Sequence, residues 1–180
     1  VESSAHYDRA LEYHRRGDFD RAKESAMKAI QAWPANLEAR KLLSTINSIL
    51  TGSGGAGASE EQKRIRDEMG PRYGIVATKA FGVPMRDIQA LAKQLGRDHA
   101  LAAALWDTEW YEARLLTAYV DDPAQVTAAQ MDKWARDFDN WGIVDTLCFS
   151  LFDRTPHAWR KVEQWSRKRA EYIKRAGFVL

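Results

Sequence analysis

Apolar positions recur at intervals of three and four along nearly the whole chain. Strict apolar–polar alternation is not sustained anywhere, and β-branched residues are sparse and dispersed. The pattern therefore predicts an all-α protein. Breakers divide it cleanly. Gly17-Asp18 ends a first helix and Trp33-Pro34 stops a second, with a third expected from about Leu37 to Leu50. The stretch Thr51–Ser59, TGSGGAGAS, is too rich in glycine for helix or strand, and as a flexible linker it would span about 16–18 Å. Residues 1–50 and 60–180 are accordingly read as two parts joined by a linker at 51–59.

The second part opens with Ser59-Glu60-Glu61-Gln62, whose spacing matches a capping box. Pro84 starts MRDIQALAKQL and Gly96 ends it. Asp98 is placed to cap HALAAALW, and a turn near Thr108 leads to WYEARLLTAYV, broken by Asp121-Asp122-Pro123. TAAQMDKWARDF, WGIVDTLCFSLF, PHAWRKVEQWSRK and RAEYIKRAGFVL follow. Helix pairs of this length joined by short turns predict an α-solenoid of HEAT type. Trp106, Trp110, Trp134, Trp159 and Trp165 are expected to pack between helices.

In the first part Tyr13, Gly17, Phe19, Ala22, Ala29, Pro34 and Asn36 stand where a tetratricopeptide repeat places its signature residues. This part resembles such a repeat with a capping helix. A single repeat cannot bury its own apolar face. The hairpin is therefore expected to dock on the second part or to self-associate. The apolar end Phe178-Val179-Leu180 has the same consequence, and a homodimer through exposed helices is one expected outcome.

Composition adds limits. With 45% hydrophobic and 11% aromatic residues the chain can build a core and is not a disordered polymer. No apolar run approaches the roughly 18 residues that span a bilayer, so no membrane association is expected. The lone Cys148 excludes an intrachain disulfide, fits a reducing, cytoplasmic setting, and lies in an apolar stretch that favours a buried thiol. His6, His14, His99 and His157 show no metal-ligand spacing, so no metal site is expected. Net charge is only +2, but it is unevenly spread. Residues 98–150 hold 3 basic and 10 acidic side chains, whereas residues 151–180 hold 8 basic and 3 acidic. The last two helices thus present the kind of positive surface that attracts a phosphate backbone, or simply a solvated face.

The chemistry most open to interpretation lies in DNWGIVDTLCFSLFDR. Trp141 and Asp145 are four residues apart, which places them on one helix face, one turn apart. A carboxylate beside an electron-rich ring suits a cationic group. Arg175, after Lys174 in the final helix, is a candidate phosphate anchor. On residue type alone, Trp141 reads as a core aromatic, Asp145 as a helix-face carboxylate and Arg175 as a surface cation.

From about Glu61 to Leu180 the sequence resembles the DNA alkylation repair family, the HEAT-like alkylpurine DNA glycosylases. The runs RYGIVATKAFGVPMRDIQALAKQLGRDHALAAALWDTEWYEARLL, DFDNWGIVDTLCFSLFDRTPHAW and EQWSRKRAEYIKRAGFVL carry the likeness. The family's W-x-x-x-D pair falls on Trp141 and Asp145, and its arginine, in an Arg-Ala run, on Arg175. The resemblance implies excision of N3- and N7-alkylated purines from duplex DNA without cofactor or metal, and without taking the base into a pocket. Asp145 would stabilise the sugar cation and position water, Trp141 would face the cationic nucleotide, and Arg175 would hold a phosphate. Two departures bear on this: family members continue for several helices past the position of Leu180, and the segment before Glu61 is not the family's usual start. The expectation is a fragment or engineered chimera of two helical-repeat proteins, with an idle helical scaffold as the alternative function.

Overall fold

The computed structural model describes residues 2–32 and 59–180. The expected capping helix at 37–50, Pro34, Asn36 and all of the linker except Ser59 lie outside the described residues. Every described element is helical: α1 Glu2–Arg15, α2 Phe19–Ala32, α3 Glu60–Tyr73, α4 Met85–Leu95, α5 His99–Asp107, α6 Tyr111–Val120, α7 Ala128–Ala135, α8 Trp141–Ser150, α9 Ala158–Trp165 and α10 Glu171–Val179, with a 3₁₀ turn at Phe152–Arg154.

The capping box and the Asp98 cap act as read, and the structure adds two further caps. Ser59 accepts from the Gln62 backbone while the Gln62 side chain accepts from the Ser59 N–H, so both halves of the capping box form. Asp98, Thr127 and Asn140 each accept from an N–H three residues on and start α5, α7 and α8. Several helices are shorter than their apolar patterns. The run TAAQMDKWARDF stops at Ala135, and the last residues of WGIVDTLCFSLF tighten into the 3₁₀ turn.

Helices 4 to 10 form two layers, an all-α helical-repeat arrangement. In one layer α4 packs on α6, α6 on α8 and α8 on α10. In the other an aromatic column joins α5, α7, the 3₁₀ turn and α9. Trp106 stacks on Trp134 at 4.6 Å, Trp134 faces Phe152 at 6.4 Å, and Phe152 meets Trp165 at 6.0 Å. Two indole N–H groups are held by carboxylates, Trp106 by Asp137 at 2.9 Å and Trp165 by Asp132 at 3.0 Å. Those bonds satisfy buried donors and set the rings' orientation. Three of the expected packing tryptophans are in this column. Trp159 is not: it stands 85% exposed on the outer face of α9, while Lys161 is buried and bonded to Asp132 at 2.7 Å. The apolar pattern of AWRKVEQW ranks the indole above the lysine for burial. The aliphatic stem of Lys161, a carboxylate partner and the Trp165 ring 5.6 Å away outweigh it.

The N-terminal hairpin docks, as its single apolar face requires. Ala10, Phe19, Ala22 and Ala26 bury between α1 and α2, and Phe19 reaches Phe81 and Trp110, which themselves stack at 3.9 Å. Gly17, with φ 74, turns the chain directly over Trp110. The segment beneath is fixed by a buried carboxylate. Glu112 accepts the backbone N–H groups of Phe81, Gly82 and Val83 at 2.7–3.3 Å, while burial pushes its pKa up.

Candidate active site

Asn140 caps α8, so Trp141 begins the helix and Asp145 lies one turn later. The Trp141 indole is a surface group, 36% exposed and not a core aromatic, and its Nε1–H donates to the Tyr73 carbonyl at 2.8 Å. That carbonyl is free because α3 ends there. Gly74 takes the left-handed conformation, with φ 63 and ψ 23, and the Gly74 and Ile75 amides fold back onto Gly70 and Met69. Ile75 then packs beside Gly142, so the end of α3 is seated on the first turn of α8.

Arg175 comes from α10, which packs against α8, while Gly177 lets the same helix approach the end of α9. The guanidinium embraces Asp145 in a two-pronged pair, Nε to Oδ1 at 2.7 Å and Nη2 to Oδ2 at 2.6 Å. Its carbon lies 5.9 Å from the Trp141 ring. The Asp145 carboxylate holds the Arg175 pKa above its ordinary value. The three residues singled out from the sequence thus meet, across 34 positions of chain, in one cluster. Arg175 uses two of its three nitrogens on Asp145, and among the described residues Nη1 makes no hydrogen bond.

Beside the cluster a cleft of about 400 Å³ runs between α6 and α8, with Tyr111 and Tyr119 on one wall, Trp141, Asp145 and Phe149 on the other, and Met85 at its edge. Another hollow, of about 500 Å³ between α3, α4 and α6, contains none of the three residues. Cys148 points away from the cleft into the core, and burial pushes its thiol up to about 12, so it supplies no nucleophile. Among the described residues no cluster of histidine, cysteine and carboxylate side chains could hold a metal ion, and no helix is long and apolar enough to cross a membrane.

The profile of the DNA alkylation repair enzyme family matches residues 59–180, more than half of the chain. The chain belongs to the DNA alkylation repair enzyme family. No curated protein and no solved structure matches it. The match takes in α3 to α10, and therefore both walls of the cleft and the Trp141–Asp145–Arg175 cluster.

The opposite wall of the cleft was not legible in the sequence. Phe149 was visible as the next step of the same face, four residues after Asp145. Tyr111 and Tyr119 likewise share a face of α6, but nothing in their spacing links that face to α8. The Tyr73 carbonyl carries no sequence signal at all, since every residue has one.

Proposed function

We propose that this protein excises N3- and N7-alkylated purines from duplex DNA by hydrolysing the bond between the base and the deoxyribose. The convergence of Trp141, Asp145 and Arg175 in one cluster beside a cleft supports this reading. An alkylated purine is cationic and leaves with the electron pair of its bond to C1′, which neutralises it, so no strong acid is needed. The sugar is left with positive charge on C1′ and its ring oxygen. Asp145 stabilises that cation electrostatically and accepts the proton of the water that adds to C1′. A carboxylate has about four lone-pair positions, so the Arg175 pair leaves acceptor capacity for that water.

Trp141 offers its ring face to the sugar and the cationic nucleotide, and the bond to Tyr73 keeps the indole from rotating away. Arg175 orients Asp145 with two nitrogens and keeps Nη1 for the adjacent phosphate. Its charge also offsets the carboxylate, which would otherwise repel the DNA backbone. Arg167, Lys168 and Arg169, in the turn before α10, are exposed and add positive charge to the segment that leads to Arg175.

Release of 7-methylguanine from alkylated duplex DNA tests the proposal. The wild-type chain is expected to release the base and Asp145→Asn to lose that activity by roughly 100-fold or more, since the amide neither stabilises the cation nor takes the proton. Equal release by both proteins sinks the assignment of Asp145. No release above background by either protein favours the helical scaffold instead.

A further inference from the structure

The wall facing Asp145 carries a hydroxyl that the reaction above does not use. Tyr111 is the first residue of α6, and its own backbone N–H donates to the Lys79 carbonyl at 2.9 Å, which fixes where the side chain starts. Its ring crosses to α8, where a β-carbon on Gly142 would lie 2.7 Å from the phenol oxygen. Position 142 therefore leaves space that the hydroxyl occupies. Among the described residues that hydroxyl makes no hydrogen bond, although it lines the cleft with Trp141 and Asp145. Burial, reinforced by the Glu112 and Asp139 carboxylates, pushes the phenol up to about 12. It is a neutral donor throughout the physiological range.

Gly142 and Asp145 are three residues apart on one helix, and such positions are neighbours, with β-carbons about 5–6 Å apart. The hydroxyl seated against Gly142 and the Asp145 carboxylate line the same cleft, so a water held in that cleft can be shared between them. We infer that Tyr111 is a positioning residue, which with Asp145 holds the attacking water in the cleft. This rests on the glycosidic-bond reading. The water donates one proton to Asp145 and accepts the Tyr111 O–H, leaving a lone pair aimed at C1′. The C1′–O bond forms as the C1′–N bond breaks, Asp145 takes the water's proton, and Tyr111 keeps its own throughout. Glycine at 142 is then a requirement of the site as well as of helix packing.

The experiment compares wild type and Tyr111→Phe for 7-methylguanine release under single turnover at saturating DNA, alongside DNA affinity and thermal unfolding. The expected result is a rate about 10- to 100-fold lower with affinity unchanged, the usual scale for a reactant left misplaced. A fluorinated tyrosine at 111, whose phenol is more acidic, should restore the rate at low pH and lose it as the phenol ionises. Wild type should show no such alkaline limb. A Tyr111→Phe rate within about threefold of wild type, while Asp145→Asn remains inactive, overturns this inference but leaves the glycosidic-bond reading standing. Loss of DNA affinity without loss of rate makes Tyr111 a wall of the cleft and also overturns it. If Tyr111→Phe unfolds, the pH profile of the fluorinated protein decides. No release by the wild type removes the reading on which the inference rests.

Discussion

Acid should destabilise the N-terminal hairpin, and His14 is the reason. The imidazole is only 1% exposed between α1 and α2, among the described residues its Nε2 has no hydrogen-bond partner, and it meets Phe19 edge-on at 5.3 Å. Phe19 is the residue through which the hairpin touches Phe81 and Trp110. Burial first, and the neighbouring Arg15 charge second, lower the His14 pKa from 6.5 to about 4. The folded state therefore binds this proton less readily than the unfolded chain. The neutral histidine's contribution is fully present above pH 6.5, and stability is lost as pH falls from there towards 4. At 1.36 kcal/mol per unit, the loss is about 3 kcal/mol, a large fraction of a typical domain's stability.

Replacing the group isolates its effect from the carboxylates that titrate over the same range. His14→Phe fills much of the same volume and removes an unsatisfied buried polar atom, so its stability near pH 7 should match or exceed that of wild type. Urea unfolding near pH 7 and near pH 4 is the assay. The advantage of His14→Phe should grow by about 3 kcal/mol between the two conditions. Parallel losses in the two proteins would refute the reasoning, because they would show that His14 either titrates normally or charges without cost where it stands.

Two glycines make further predictions. At Gly82 the backbone has φ 79 and a β-carbon would fall 2.1 Å from the Gln62 carbonyl oxygen, so Gly82→Ala should cost about 3 kcal/mol or more and free the segment that Glu112 holds, read as a fall in the urea midpoint. At Gly177 a β-carbon would fall 2.2 Å from the Ser166 nitrogen and 2.7 Å from the Trp165 carbonyl carbon, both backbone atoms that cannot swing aside. Gly177→Ala should cost about 1–3 kcal/mol by calorimetry and, by lifting α10 and Arg175 from Asp145, should weaken DNA binding; unchanged stability and binding would refute that account of the packing.

Much of this protein is decided by short-range chemistry that a sequence carries openly. Ser59 with Gln62, and Asp98, each supply an oxygen to a helix's first free N–H groups, so those two helix starts were legible residue by residue, whereas Thr127 and Asn140 emerge as caps only in the structure. The spacing of Trp141 and Asp145 is a property of any α-helix, which is why their shared face survived into the structure. Trp159 shows the limit of such reading. Hydrophobicity is a one-residue quantity, whereas burial depends on which face of α9 meets α7, and there Lys161 has a partner in Asp132 while Trp159 stands 85% exposed.

The site itself divides along the same line. Local sequence determined its helices, its glycine turns and the four-residue step from indole to carboxylate, because those depend on backbone geometry over one or two turns. Tertiary structure alone decided that Arg175 closes on Asp145 across 30 residues, that the Tyr73 carbonyl fixes the Trp141 ring, and that the Tyr111 hydroxyl rests against Gly142. Those contacts follow from layer packing, which sums many weak and non-directional burial terms over the whole molecule, and no short stretch of chain contains that sum.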